Sequence, residues 1–190
     1  RLLTVLGSSD FLSETLIRRP ELLDVISPAV PFEVDPESFS RLKGQAEIKD
    51  KPIRETLRLF RRREEFKLAL GDLFEPGLHN TRFALSQLAD ACLIHCFQEL
   101  LRESPELRSE RFTLLALGKL GGQELTYHSD LDLLLVFESR PSTQFGELFV
   151  GLLKKFRHEI ETYTELGQAY KLDFRLRPEG DLSSLAVAFG

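Results

Sequence analysis

Hydrophobic residues recur at every third or fourth position through the first hundred residues of the chain, a spacing that predicts amphipathic helices. The longest stripes run through 53–75 and 81–100. Pro28, Pro31 and Pro36 predict an irregular connection before the first of these stripes. Residues that favour helix starts precede four predicted helices: Ser8-Ser9-Asp10, Pro20, Asp50 with Lys51-Pro52, and Asn80-Thr81.

The pattern changes near Arg111, where short apolar runs and one alternating stretch replace the helical stripes. We predict strands at 112–117, 131–137 and 170–176, an amphipathic helix at 144–165, and a last strand at 185–189. The sequence therefore predicts an α+β fold, with a helical region at 1–105 and a strand-rich unit at 106–190. The predicted boundary lies near Ser104-Pro105.

Composition and charge narrow the class of protein. The chain has 190 residues, of which 42% are hydrophobic and 29% charged, as in a soluble globular protein. No apolar run approaches the ~18 residues of a membrane-spanning helix, and the net charge of -5, spread over both halves, argues against a nucleic-acid partner. Two cysteines fit a reducing, cytoplasmic compartment. The missing methionines and the start at Arg1 favour a fragment of a longer protein.

Three acidic residues in the second half form the main candidate site. Asp130 and Asp132 are two positions apart in a predicted strand, so their side chains should leave the same face. Asp173 lies in the alternating segment 170–176 and should join them if the two strands are close. Adjacent carboxylates repel each other unless a cation or proton lies between them, and oxygen ligands suit Mg²⁺. We expect two Mg²⁺ ions and an in-line phosphoryl displacement there.

Polar and flexible residues around these acids predict a phosphate-binding surface. Gly121 and Gly122 permit a tight turn whose N–H groups could face an anion, and Ser129 could donate to a phosphate oxygen. Three basic residues could offset the charge of a triphosphate: Lys119, Arg175 and Arg177. The alternative is a structural turn, since an isolated Asp-x-Asp is common where Asp bonds its own backbone.

Other chemically active residues have simpler explanations. Cys92, His95 and Cys96 lie within one turn of an apolar helix face, which predicts a buried core rather than a metal site. The basic run 61–63, with Arg58 and Lys67 and next to two glutamates, predicts a solvated helix face, with docking of a partner protein as the alternative. His128 adjoins the acids and could contact substrate or serve the fold.

The motifs around the acids resemble those of a known family. Residues 118–133, Gly-Lys-Leu-Gly-Gly-x-Glu-Leu-x-Tyr-x-Ser-Asp-Leu-Asp-Leu, closely resemble the active-site motif of bacterial glutamine synthetase adenylyltransferases. Residues 172–180 resemble the Asp-x-Arg-Leu-Arg-Pro stretch of the same enzymes. Segments 7–12, 19–24 and 57–63 are also similar, so the resemblance covers nearly the whole chain. The shorter Gly-Gly…Asp-x-Asp core is shared by all polymerase-β-like nucleotidyltransferases.

The resemblance implies a fold, a reaction and partners. It implies that 106–190 is a polymerase-β-like nucleotidyltransferase domain, truncated at its C-terminal end, with a small mixed sheet flanked by helices. The family's enzymes attach AMP from ATP to a tyrosine of glutamine synthetase in one domain and remove it by phosphorolysis, yielding ADP, in another. Glutamine and a PII-type signalling protein control the balance.

The resemblance also implies a role for each matching residue. Asp130 and Asp132 would hold two Mg²⁺ ions, and Asp173 would share one ion and help to activate the attacking oxygen. Gly121, Gly122 and Ser129 would cradle the nucleotide phosphates. One departure is His128, which stands where the family usually has a small residue.

Three alternatives stay open from the sequence. Segment 19–23 is similar to the region before the adenylylating domain, which is the assignment we favour, whereas 59–63 is similar to the deadenylylating half. The acceptor could instead be a different protein or a small molecule. The chain could also bind nucleotide or a regulatory protein without turnover, if parts of the domain lie outside it.

Overall fold

The computed structural model describes residues 1–27, 31–35, 37–77, 80–107, 111–138, 143–174 and 186–189. The helices and strands, in chain order, are α1 (Leu2–Ser8), α2 (Asp10–Arg18), a 3₁₀ helix (Pro20–Ile26), α3 (Ser38–Lys43), α4 (Ile53–Phe74), α5 (Thr81–Glu103), a second 3₁₀ helix (Pro105–Leu107), β1 (Phe112–Ala116), α6 (Gly118–Gly121), β2 (Leu131–Glu138), α7 (Thr143–Glu161), β3 (Leu172–Asp173) and β4 (Ala186–Phe189). The predicted α+β class is confirmed.

The helix starts follow from local chemistry that the sequence shows. The Ser9 hydroxyl accepts a hydrogen bond from the Leu12 N–H at 3.4 Å, and the Asn80 side chain accepts one from Phe83 at 3.2 Å. Helix α4 begins directly after Pro52. The predicted second helix is a 3₁₀ helix, and the short helices α1 and α3 were not predicted, because neither offers a long apolar stripe.

Helix α4 lies between two groups of buried apolar residues. Phe66 and Leu70, on one side of α4, pack with the buried residues of α1, α2 and the first 3₁₀ helix. Leu57, Phe60 and Leu68 belong to the larger cluster, which contains the apolar residues of α5, α7 and the sheet. Residues on both sides of the predicted 105/106 boundary thus share one core, and the division into two domains stays a prediction.

Strand β2 organises the sheet. It pairs antiparallel with β1, with Phe112 opposite Phe137, and parallel with β3 and β4. Along β2, alternate residues from Leu131 to Phe137 are buried, which fixes the face that points into the core. The described part of the predicted strand 170–176 is shorter than expected, since β3 contains only Leu172 and Asp173, and 175–176 lie outside the described residues.

The prediction of a solvated face for the basic run in α4 is wrong for most of its members. The exposed fractions of Arg58, Glu64, Glu65 and Lys67 are 2%, 1%, 4% and 6%. The helix is covered on two sides, so its charged residues are paired inside the fold: Glu64 with Lys67 at 2.5 Å and Glu65 with Arg61 at 3.0 Å. Arg63 reaches outward, to Asp24 at 2.9 Å.

The buried-core interpretation of the cysteine and histidine face in α5 is confirmed. Cys92 and Cys96 are buried free thiols, and the His95 ring stacks on Phe39 with centroids 3.9 Å apart. Burial lowers the pKa of His95, so the ring stays neutral near pH 7. None of the helices in the described part of the chain has the length and apolar character to cross a membrane.

Candidate active site

The parallel pairing of β2 with β3 places two of the three candidate acids side by side. Leu131 lies opposite Leu172, and Asp132 lies opposite Asp173. The two leucines are buried, at 0% and 4% exposure, whereas both aspartates are half-buried on the other face of the sheet. The two carboxylates therefore leave the same face from adjacent strands, as residues paired in register must.

Asp130 stands just before β2 rather than inside the strand, which corrects the prediction that both acids of the Asp-x-Asp pair are strand residues. Its side chain is exposed, and its Oδ2 accepts a hydrogen bond from the Lys171 Nζ at 2.7 Å. The main chain joins the same two segments, because the Leu131 N–H donates to the Lys171 carbonyl at 2.9 Å. All three acids are thus at the start of the β2–β3 pair.

Gly118 is the glycine that accommodates Asp132, and the sequence patterns did not single it out. Its φ of +52° lies in the left-handed region that favours glycine. A Cβ at this position would collide with the Asp132 Oδ2. The Leu117 N–H, one residue earlier, donates to the Asp132 carbonyl at 2.9 Å. The β1–α6 turn therefore holds both the main chain and the side chain of Asp132.

The N–H groups of Gly121 and Gly122, which the sequence predicts to face an anion, are bonded inside the protein. They donate to the carbonyls of Leu117 and Gly118 at 2.9 and 3.0 Å, because these glycines end the short helix α6. Gly121 has a packing role instead. A Cβ there would lie 2.6 Å from the Ala116 carbonyl oxygen, so only glycine lets α6 approach the end of β1 this closely.

The turn 126–129 positions Asp130 from the other side. The Ser129 Oγ accepts a hydrogen bond from the Thr126 N–H at 3.1 Å and lies 2.9 Å from the Thr126 hydroxyl. His128, which the sequence left between a substrate contact and a structural role, adopts a φ of +68° in this turn and is exposed. The hydroxyl expected to face phosphate is therefore engaged within the turn.

Helices α4 and α5 anchor the loop that leads to the acids, through residues that sequence reasoning missed. The buried Ser86 Oγ accepts the Leu125 N–H at 3.2 Å, and the Tyr127 hydroxyl donates to Asp72 at 2.7 Å. Burial and Asp72 raise the pKa of Tyr127 far above its usual range, so this phenol stays protonated and donates. Neither contact has a local sequence signal, since each joins residues at least 39 positions apart.

The remaining candidates are placed differently. Lys119 is an exposed residue of α6. Arg175 and Arg177 lie outside the described residues.

Comparison with known proteins connects this geometry to a family. The family model for glutamate-ammonia ligase adenylyltransferase matches residues 1–190, the whole chain. The chain belongs to this family. A curated relative from Psychromonas ingrahamii is 32% identical over 99% of the chain, and one from Thioalkalivibrio sulfidiphilus is 33% identical over 99%. Both relatives carry the name bifunctional glutamine synthetase adenylyltransferase/adenylyl-removing enzyme, and the chain spans 22% of the length of each.

The acids of this adenylyltransferase-family chain suit a magnesium ion by their chemistry. All three offer carboxylate oxygens, and the missing Cβ of Gly118 makes room for the Asp132 carboxylate. Within the described ranges, however, no three Asp, Glu, His or Cys side chains are already arranged to hold a metal. Asp130 is paired with the Lys171 ammonium instead. A metal that used all three carboxylates would have to displace that ammonium.

Proposed function

We propose that the chain is a polymerase-β-like nucleotidyltransferase unit, with a helical lead-in, that adds AMP from ATP to a tyrosine of glutamine synthetase or removes it by phosphorolysis. Membership of the family supports the reaction class. The names of the relatives support glutamine synthetase as the protein substrate. Regulation by a PII-type protein and a cytoplasmic location belong to the same proposal.

One observation carries the proposal: the register that places Asp132 opposite Asp173, with Asp130 at the entrance to the same strand. Carboxylates from adjacent strands can serve one reaction centre only if they lie on the same face of the sheet and directly opposite each other along the two strands. The pairing of Asp132 with Asp173 meets both conditions. A turn motif without a function would need no third carboxylate from a separate segment.

Each acid has a role in this proposal. Asp130 and Asp132 would hold two Mg²⁺ ions, and Asp173 would share one of them. Such ions, when bound, would neutralise charge on the nucleotide phosphates. Lys119, Gly121, Gly122 and Ser129 would face the nucleotide; in the structure the two glycine N–H groups and the Ser129 hydroxyl are bonded within the protein. Arg175 and Arg177 complete the proposed phosphate contacts.

In both directions of the proposed reaction, one bond to the α-phosphorus forms and one breaks. In the forward direction the tyrosine oxygen forms a bond to the α-phosphorus of ATP, the bond from that phosphorus to the β-phosphate oxygen breaks, and pyrophosphate leaves. Asp173 would accept the phenolic proton. In phosphorolysis, inorganic phosphate attacks the same phosphorus and releases ADP and the free tyrosine, which takes back a proton. Positioning, together with the charge stabilisation that bound Mg²⁺ would supply, would contribute most of the rate enhancement.

The test uses the full-length protein with purified glutamine synthetase, and it follows AMP addition and AMP removal separately. Asp132→Asn should abolish one of these two reactions and leave the other. The reaction that is lost is then the one that this part of the protein catalyses. The exposed Asp50→Asn is the matched control and should leave both reactions intact. Normal rates of both reactions in Asp132→Asn would refute the proposal, and transfer of AMP to a different acceptor would correct the substrate.

A further inference from the structure

Arg58 of α4 is a buried arginine whose hydrogen bonds end on main-chain carbonyls. Its guanidinium donates to the carbonyls of Arg54, Glu159, Ile160, Thr162 and Gly167. The bonds to Gly167 and Glu159 measure 2.7 and 3.0 Å. Arg58 is only 2% exposed, so these bonds offset the cost of burying its charge. The side chain thus joins α4 to the end of α7 and to the segment that follows it.

Arg61, one turn later on α4, contacts the next part of the same segment. It donates to the Gln168 carbonyl at 3.3 Å, and its guanidinium carbon lies 4.4 Å from the centre of the Tyr170 ring. Glu65 accepts from the same guanidinium at 3.0 Å and holds it in place. The Arg61 side chain is 17% exposed. Arg58 and Arg61 together therefore contact the segment 162–170 near both of its ends.

The segment 162–170 leads directly into the candidate active site. Lys171, the next residue, bonds Asp130 with its side chain and Leu131 with its carbonyl. The N–H of Leu172, the first residue of β3, donates to Glu161 at the end of α7 at 2.8 Å. Because β3 contains only two residues, its own ladder fixes it weakly. The contacts before it therefore contribute to placing Asp173 beside Asp132.

We propose that Arg58 and Arg61 are positioning residues for the active site: they hold the segment 162–170 so that Lys171 and Asp173 meet Asp130 and Asp132 in register. The inference rests on the proposed function for the chemistry of that site. It adds a role for the helical region, which supplies both arginines from α4. Planar guanidinium groups suit this task, because several fixed donors can satisfy carbonyls on different turns of the chain.

The variants separate positioning from general stability. Arg58→Lys keeps the charge but loses the fork of donors, and Arg61→Gln removes the contacts to Gln168 and Tyr170. Arg63→Gln is the matched control, since Arg63 belongs to the same basic run but bonds Asp24, outside the segment. All are made in the full-length protein, and circular dichroism confirms folding. If Arg58→Lys does not fold, Arg61→Gln carries the test alone.

Two measurements on these variants test whether the segment 162–170 is still held in place. Hydrogen–deuterium exchange of peptides covering 162–174 should speed up in Arg58→Lys and Arg61→Gln, while peptides from the middle of α5 stay protected. Calorimetric binding of Mn²⁺ should weaken roughly 10-fold, the order found when supporting contacts of metal ligands are removed. Arg63→Gln should match the wild type in both measurements.

The outcomes distinguish the two proposals. Unchanged exchange at 162–174, or faster exchange with unchanged Mn²⁺ affinity, would overturn the positioning role. A wild-type protein that binds no Mn²⁺ would overturn it as well. A wild-type protein that binds Mn²⁺, with the affinity lost in the variants, but neither adds nor removes AMP would support the positioning role and refute the proposed reaction.

Discussion

The Lys171 Nζ lies 2.7 Å from the Asp130 Oδ2, and this ion pair joins the residues that directly precede the paired strands of Asp132 and Asp173. Both partners are largely accessible, with exposed side-chain fractions of 63% and 43%. The pair therefore contributes little to stability, but it places a positive charge where the proposed metal would bind.

Removal of that charge should strengthen divalent-cation binding. We expect Lys171→Met to lower the Mn²⁺ dissociation constant by about twofold to fivefold, which corresponds to the ~0.5–1 kcal/mol typical of an exposed ion pair. Calorimetry with Mn²⁺ measures the change. Lys155→Met, an exposed lysine of α7, is the control and should bind as the wild type does. Weaker or unchanged binding in Lys171→Met would show that the ammonium does not compete with a metal at Asp130.

Gly118 and Gly122 should respond differently to the same substitution. Gly118→Ala forces a side chain into a left-handed φ and against the Asp132 carboxylate, so we expect a loss of roughly 1–2 kcal/mol of unfolding free energy or more, together with loss of Mn²⁺ binding. Gly122→Ala has a right-handed φ of -81° and ordinary contacts from 3.5 Å outward, and it should be close to neutral. Urea unfolding measures both. Equal losses in the two variants would contradict this account of Gly118.

Ser86 should contribute more to the free energy of unfolding than its small side chain suggests. It is fully buried at 0% exposure, and Ser86→Ala would leave the Leu125 N–H without its acceptor. We expect a loss of about 1–3 kcal/mol in the free energy of unfolding, measured by urea denaturation. Ser40→Ala, at an exposed position of α3, should change it by less than ~0.5 kcal/mol. Similar values for the two variants would mean that the Leu125 N–H finds another partner.

The thiols of α5 should be inert in the folded protein. Burial raises the pKa of Cys92 to about 12 and also raises that of Cys96, so almost no thiolate forms near pH 8. Above the unfolded thiol pKa of about 8.5, the unfolded state loses protons that the native state keeps, so this contribution to stability falls as the pH rises towards 12. A disulfide reagent should label neither cysteine at pH 8 until urea unfolds the chain. Rapid labelling of native protein would contradict their burial.

Local signals in the sequence predicted local structure well. The caps at Ser9 and Asn80 and the apolar run of β2 are visible in adjacent residues, and the structure confirms the two caps and the strand. The proximity of Asp173 to Asp132 could only be predicted conditionally, because strand pairing over 41 residues depends on the whole fold.

Two features of the site region could not be predicted from the patterns. The charged run in α4 has the composition of a solvated face, and only its packing on two sides shows why Arg58 and Glu64 are buried. The role of Gly118 depends on a backbone angle and on the position of Asp132, neither of which a glycine in the sequence reveals. In both cases the decisive contact joins segments that are distant in the chain.

The central claim is that Asp132 and Asp173 act as one site, and a double-mutant cycle on the rate of AMP addition or removal tests it most directly. We predict that Asp132→Asn, Asp173→Asn and the double variant all lose the same one of the two reactions, and that the double variant loses no more than the stronger single variant, because groups that act as a unit are not additive. If the two single variants lose different reactions, or if their effects multiply in the double variant, the two aspartates do not share a site.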